Sequence, residues 1–184
     1  MHLKTSRRGT AGVRAARGRV RTPENDALIY LERQHREVEE LFRQFECAET
    51  EDRRAAILRT IADGLAIHTA IEETHLYSAA RPKLADDVSD GTMDDHHDIK
   101  SILSDIVDIS VSDPNFDAKL KALRDAVERH VQNEERRLFP KVRRALSASE
   151  LGEIARRMRA QQDQMEGTEP RLQVHADQTA ATLH

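Results

Sequence analysis

The chain has 184 residues, of which 34% are charged, 38% are hydrophobic and 3% are aromatic, and its formal net charge is −4. This length favours a single domain with a tail, and the scarcity of aromatic residues argues against a protein built from strands. No apolar run approaches the ~20 residues of a membrane span, and no apolar segment of a secretory signal follows the basic start. The abundance of Ala, Leu, Arg and Glu favours an all-helical protein instead.

Residues 1–22 contain seven basic residues and no acidic residue. Without them the chain has 22 basic and 33 acidic residues, so residues 23–184 carry a net charge of −11. Three glycines and few apolar side chains predict that residues 1–22 form a disordered basic arm. Such an arm could contact nucleic acid or an anionic surface, but a solvated tail or a misplaced start codon is the simpler interpretation. We therefore expect no nucleic-acid partner.

Apolar residues recur at steps of three and four and predict four amphipathic helices, over residues 22–49, 51–81, 92–111 and 116–146. Thr22 and Pro23 suit the N-cap and the first position of helix 1. Ser147 and Glu150 suit a capping box that opens a short fifth helix ending near residue 165. The predicted fold is all-α: an up-down-up-down four-helix bundle with a short fifth C-terminal helix. It spans residues 23–166, and a flexible tail follows at 167–184.

The candidate metal-binding residues of the sequence belong to an internal repeat. Residues 68–77 and 130–139 both follow the pattern H-x-x-x-E-E-x-x-L-aromatic, and a lone inward histidine, His35 or His96, lies 33 or 34 residues before each copy. Residues four apart share one helix face, so both histidines and both first glutamates point into the predicted core. Buried imidazoles and carboxylates are costly without partners, and a metal would use their lone pairs. The predicted metal ligands are His35, His68, Glu72, His96, His130 and Glu134.

Simpler interpretations exist for each residue alone. One inward histidine is usually a hydrogen-bonded core residue, and one H-x-x-x-E pair is common on helices, but two matched copies favour a metal site. Glu72 and His75 also form E-x-x-H, the motif of ferritin-like bundles, yet the equivalent position in the second copy is Arg137. We assign no catalytic residue, and we expect Tyr77 and Phe139 to close the end of the core. Candidates for outer positions around the ligands are Glu73, His75 and Glu135.

The ordered set H, H-x-x-x-E, H, H-x-x-x-E resembles the hemerythrin-like HHE cation-binding domain of bacteria over about residues 24–165, with the nearest matches at 95–100 and 129–140. The resemblance implies two iron ions with an oxo or hydroxo bridge, and a mixed His and Glu ligand set favours iron over manganese or zinc. O2-carrying hemerythrins have H-x-x-x-H on the third helix. Here Lys100 stands four residues after His96, which argues against reversible O2 carriage.

The resemblance leaves three functions open. The first is binding of O2, peroxide or NO in an oxidative or nitrosative stress response, or in redox or iron sensing. The second is a catalase-like enzyme that decomposes hydrogen peroxide, and the third is a structural bundle with zinc or no metal. We expect no membrane association, and a monomer or weak homodimer. The single cysteine, Cys47, forms no internal disulfide, which fits a reducing cytoplasm.

Overall fold

The computed structural model describes residues 20–84 and 92–182, and all regular structure within these ranges is helical. The first two long segments are α1 (Ala27–Glu46) and a continuous helix made of α2 (Glu51–Ile71), a π-helical turn (Glu72–Tyr77) and a last α-helical turn (Ser78–Ala80). The next two are α3 (Thr92–Ile106) and a continuous helix made of α4 (Phe116–Asn133), a second π-helical turn (Glu134–Leu138) and α5 (Phe139–Ala145). Two further helices follow, α6 (Ala148–Met165) and α7 (Pro170–Thr182).

The predicted all-α bundle is confirmed. Helix α1 packs against α2 and α6, and α3 packs against α4 and α7. Most of the predicted basic arm, residues 1–19, and most of the loop after the second helix, residues 85–91, lie outside the described residues. Within the described residues, no helix is long and apolar enough to cross a membrane.

Helix α1 begins four residues later than the sequence predicted. Asp26, rather than Thr22, is its N-cap, and the Asp26 Oδ1 atom accepts hydrogen bonds from the amides of Leu28 at 3.1 Å and Ile29 at 3.4 Å. Thr22 to Asn25 form a separate turn, in which the Asn25 amide donates to the Thr22 carbonyl at 3.0 Å. A carboxylate that accepts from two otherwise free amides stabilises a helix start, and Asp is preferred to Thr as an N-cap. The capping box of Ser147 and Glu150 at the start of α6 is present as predicted.

Part of the segment expected to be a flexible tail, Pro170–Thr182, is helical in the structure. Helix α7 lies against α2 and α3, and the guanidinium of Arg171 donates to Asp63 Oδ2 at 2.6 Å. Val174 packs against the apolar core of the bundle, and His175 Nδ1 lies 2.9 Å from Ser104 Oγ. A few contacts thus hold α7 against the bundle, although its own sequence is only weakly amphipathic.

The core consists of two apolar clusters with a polar layer between them. One cluster includes Leu31, Ile71 and Leu138, and the other includes Phe42, Leu65 and Val127. Along each long helix, an inward polar residue lies between members of the two clusters, as His35 lies between Leu31 and Phe42. The fold therefore places the histidines and glutamates of the repeat at one level of the bundle.

We predict that Asp26→Ala lowers the free energy of unfolding by about 2–4 kcal/mol, because it removes a helix cap and unpairs a partly buried arginine. Arg143 Nη1 donates to Asp26 Oδ2 at 2.7 Å, and the Asp26 side chain is 3% exposed. Urea unfolding of the metal-free protein measures the change, and Asp26→Asn, which keeps a capping oxygen, should lose less. Asp105→Ala is the matched control, since it breaks only the exposed pair with Lys119, which is worth less than about 1 kcal/mol. Equal losses for Asp26→Ala and Asp105→Ala would contradict the assignment.

Candidate metal centre

Five residues from both halves of the chain bring potential ligand atoms to one point. One such atom from each lies within 4.8 Å of all the others, and all five side chains are buried: His35, His68, Glu72, His130 and Glu134. The sixth predicted ligand, His96, adjoins them, because its Nε2 atom lies 3.1 Å from Glu72 Oε2. The structure therefore brings together all six residues that the sequence singled out.

Each carboxylate faces one histidine from each half of the chain. The Oε2 atom of Glu72 lies 3.2 Å from His68 Nε2 as well as 3.1 Å from His96 Nε2. The Oε2 atom of Glu134 lies 3.4 Å from His35 Nε2 and 3.5 Å from His130 Nε2. The internal repeat is thus a structural one, and its two glutamates lie between the two pairs of histidines.

The six side chains are better suited to bind a metal ion than to hydrogen-bond one another. His68 Nε2 and His130 Nε2 face each other at 3.3 Å. His35 Nε2, Glu72 Oε1 and Glu134 Oε2 are buried and have no hydrogen-bond partner among the described residues. Each such orphaned atom costs ~1–3 kcal/mol, more when charged. Imidazole nitrogens and carboxylate oxygens aimed at the same small volume supply the lone pairs that a transition-metal ion requires.

The two π-helical turns hold this geometry. Each begins at the glutamate of an H-x-x-x-E pair, Glu72 in the first and Glu134 in the second. In a π-helical turn the hydrogen bonds join residues five apart, so the residue five after each glutamate comes to the same face. In an α-helix that residue would lie about 140° away. Both turns occur at the same position in the repeat, which indicates that the site geometry requires them.

The first π-helical turn brings the side chain of Tyr77 to the site. Helical spacing in the sequence had placed Tyr77 only at the end of the core. Its hydroxyl donates a hydrogen bond to Glu134 Oε1 at 2.7 Å and lies 3.2 Å from His96 Nε2. An ideal α-helix would have turned it away from Glu72, which explains why helical spacing missed it. The signal available in the sequence was the aromatic residue at the same place in both copies. The second aromatic, Phe139, has its ring nearly parallel to that of His35, with centroids 5.9 Å apart.

Three of the four histidines hydrogen-bond an outer partner through Nδ1. His35 contacts Glu135 Oε1, and His96 contacts Glu73 Oε1, each at 2.9 Å. These are two of the three outer residues proposed from the sequence. Such contacts fix the ring so that Nε2 faces the centre of the site, as at many metal centres.

Gln34 and Lys100 complete the outer layer. His68 Nδ1 lies 2.9 Å from Gln34 Oε1, a contact between α1 and α2 that no spacing rule predicts. Lys100 Nζ donates to both oxygens of Glu73, at 2.7 and 2.9 Å. The side chain at the position of the carriers' extra histidine thus engages a glutamate of the outer layer.

The third outer candidate, His75, neighbours α6 instead. Burial lowers the pKa of His75 despite a hydrogen bond with Gln161 that opposes the change. His97, beside His96, is exposed.

Without a metal, protons balance the charges of the site. Burial opposes protonation of His35 and His96, but hydrogen bonds to glutamates outweigh it and raise the pKa of each to about 9. Burial and the nearby charge of Glu134 raise the pKa of Glu72 to about 8. Burial would also raise the pKa of Glu134, but the neighbouring His130 and His35 lower it.

The other two histidines favour the neutral form. Burial, followed by the charges of neighbouring histidines, lowers the pKa of His68 well below its usual value. Burial also lowers the pKa of His130, to about 4, although Glu134 opposes this change. The metal-free site therefore holds its positive charge on His35 and His96.

Comparisons with known proteins agree with this geometry. A family model described as the hemerythrin HHE cation binding domain matches residues 26–142, and a second, overlapping match covers residues 92–182. A crystal structure of a hemerythrin HHE cation binding domain-containing protein from Mycobacterium kansasii superimposes with a TM-score of 0.65. That likeness covers 78% of this chain and 88% of the other at 24% identity, which shows a shared fold.

One curated relative is a DNA nickase from Nostoc sp., which is 28% identical over 126 residues. The match covers 68% of this chain but 36% of that protein, so the chain spans about a third of the relative's length. The family match, by contrast, covers more than half of the chain. The chain therefore belongs to the hemerythrin HHE cation-binding domain family.

Proposed function

We propose that this protein is a non-haem di-iron protein that binds O2, peroxide or NO, and that it acts in oxidative or nitrosative stress or in redox or iron sensing. The observation that carries the proposal is the buried pairing of four histidines around two carboxylates. A mixed nitrogen and oxygen ligand set suits iron. Four imidazoles and two carboxylates are too few to fill the coordination positions of two ions. Unsaturated ions leave room for an exogenous ligand.

Each half of the chain would supply the two histidines of one ion position. His35 and His68, whose ring centroids are 4.9 Å apart, would hold one ion, and His96 and His130, at 4.8 Å, would hold the other. Glu72 and Glu134 would lie between the two ions. When bound, the irons supply exchangeable coordination positions and a change of redox state.

The remaining side chains orient these ligands and exclude water. Glu135, Gln34 and Glu73 hold three of the rings through Nδ1. The two apolar clusters above and below the layer keep bulk water away from it. Lys100, bound to Glu73, supplies no additional imidazole, which supports ligand binding without the reversible O2 carriage of the known carriers.

The decisive test is metal content with ligand binding. We expect about two irons per chain after iron-replete growth, and a change in the visible spectrum when NO is added to the reduced protein. Glu72→Ala combined with Glu134→Ala should lose the iron, whereas Glu37→Ala, which changes an exposed glutamate on α1, should keep it. Retention of zinc but less than one iron per chain would contradict the proposal.

A second candidate function is decomposition of hydrogen peroxide, in which two peroxide molecules give two waters and one O2. Among the outer residues singled out from the sequence, Glu73, Glu135 or His75 could transfer protons in this reaction. The position of Tyr77 favours this candidate, because its hydroxyl contacts Glu134 and adjoins His96. Burial and the charge of Glu134 raise its pKa well above 10, so it is a neutral phenol that can donate a hydrogen bond or a proton.

If the protein decomposes peroxide, we predict that Tyr77→Phe slows O2 evolution by about 100-fold while the iron content is unchanged, because a positioned proton donor is lost. An oxygen electrode measures the rate, and metal analysis measures the iron. Tyr30→Phe is the matched control, since Tyr30, the other of two tyrosines, donates to Gln162 and not to one of the six ligand candidates. Equal rates in Tyr77→Phe and the unmodified protein would exclude Tyr77 as the donor.

Metal binding should release protons. At pH 7 the metal-free protein holds protons on His35 and His96, whose pKa is about 9, and on Glu72, whose pKa is about 8. Ligands must be deprotonated, so we predict release of about two to three protons per chain at pH 7. The release should fall as pH rises through 8 and 9, where Glu72 and then His35 and His96 lose half of their protons, and apparent affinity should rise over the same range.

Calorimetry in buffers of different ionisation enthalpy, with anaerobic Fe(II), measures this release. Glu73→Gln and Glu135→Gln remove carboxylates that raise the pKa of His96 and His35, so each should reduce the number of protons released. Proton release that is absent at pH 7, or that grows above pH 9, would refute the prediction.

A further inference from the structure

A small cavity connects the surface of the bundle with the candidate ligands. Its volume is about 60 Å³, and its deep end is formed by three of the ligand histidines, His35, His68 and His130. Val38 and Val131 contribute to its apolar wall. Of the residues that line it, Gly64 alone is exposed, so the cavity opens to solvent beside Gly64. A single water needs ~10–15 Å³ of such space, so the cavity holds a molecule of a few heavy atoms.

Neither backbone conformation nor crowding explains the glycine at position 64. It lies inside α2 (Glu51–Ile71), where glycine is less stable than alanine. Its φ is not positive; among the described glycines, only Gly167 has a positive φ. A Cβ atom built on Gly64 would meet no heavy atom within 4 Å. A methyl group would therefore fit there, and a longer side chain would extend from a position that lines the cavity.

Gly64 lies one helical turn before His68, and residues four apart share a helix face. A side chain at position 64 therefore projects over the opening that leads to His68. A hydrogen atom in that place leaves the opening at its widest. Glycine at this position thus lowers the stability of the helix but leaves the way to the ligand cluster unobstructed.

We propose that Gly64 keeps open the entrance through which a small uncharged molecule, of the class of O2, NO or hydrogen peroxide, reaches the His35 and His68 side of the site. The proposal rests on the proposed function. The apolar wall disfavours ions, and the cavity size excludes larger substrates. Gly64 is then a specificity-determining residue, not a ligand.

A second approach to the site is wider, but charged side chains surround it. A groove of about 390 Å³ between α1 and α4 also reaches His35, but its rim carries charged side chains, including Arg36, Glu39 and Glu128. Glu135 lines this groove and binds His35 Nδ1 at 2.9 Å, so their pairing stands between the groove and the centre of the site. Apart from the three ligand histidines, the cavity at Gly64 is instead lined by apolar groups and by the neutral amides of Gln34 and Gln162.

The test is NO binding to the reduced, iron-loaded protein, followed by stopped-flow absorbance. In Gly64→Leu, we expect the association and dissociation rates to fall together by about tenfold or more, with little change in Kd. A side chain at the entrance does not touch the bound molecule and gives no differential affinity. Thr60→Leu is the matched control, because Thr60 is exposed on the same helix one turn earlier and does not line the cavity. Its rates and iron content should equal those of the unmodified protein.

Gly64→Ala gives a readout that needs no metal. Replacing a helical glycine where a Cβ fits should raise the Tm of the metal-free protein by ~2–4 °C. A lower Tm would mean that the fold itself requires glycine, which would overturn the inference.

Unchanged NO rates in Gly64→Leu would also overturn it, and a slower rate in Glu39→Trp would then assign entry to the groove. If the unmodified iron-loaded protein binds no NO at all, the proposed function itself fails, and that result is visible without any variant.

Discussion

A layer of four histidines and two glutamates in the middle of an apolar bundle is the constraint on which the rest of the structure depends. The side chains of Glu72 and Glu134 are fully buried, and two carboxylates this close repel each other. Their charges must be balanced, whether by protons on His35, His96 and Glu72 or by metal cations. Either way, the two apolar clusters can pack on this layer only if its polar atoms have partners.

This constraint explains the departures from ideal helix geometry. A continuous α-helix cannot direct His68, Glu72 and Tyr77 to one side, because residues five apart diverge in direction. The π-helical turn at Glu72–Tyr77 removes that conflict, and the turn at Glu134–Leu138 does the same in the second half. Irregular helical turns are tolerated where tertiary contacts compensate for weaker local hydrogen bonds, and here the compensating contacts are those of the site.

The helices after the bundle extend the same network. Gln162 on α6 accepts a hydrogen bond from Gln34 Nε2 at 2.7 Å, and Gln34 in turn contacts His68. Thus α6 reaches the ligand layer through one intermediate side chain. It also supplies Leu151, Ile154 and Met158 to the apolar cluster that includes Leu31. Helix α6 therefore helps to position the ligands as well as to bury the apolar core. Lys100 has a comparable role on the opposite side, where it neutralises the glutamate that holds His96.

The sequence by itself determined the helical class, the approximate helix bounds and the six residues of the polar layer. It could do so because each of these depends on spacing within one helix, as in His68 with Glu72, or on an internal repeat. Only the tertiary structure decided the start of α1 at Asp26, because that cap is reinforced by Arg143, 117 residues away in the chain. It also decided the contacts of Gln34 and Tyr77, and the order of α7, which depend on neighbouring helices or on a π-helical turn. Helical periodicity records which way a side chain faces along an ideal helix, and it cannot record what the other helices place in front of it.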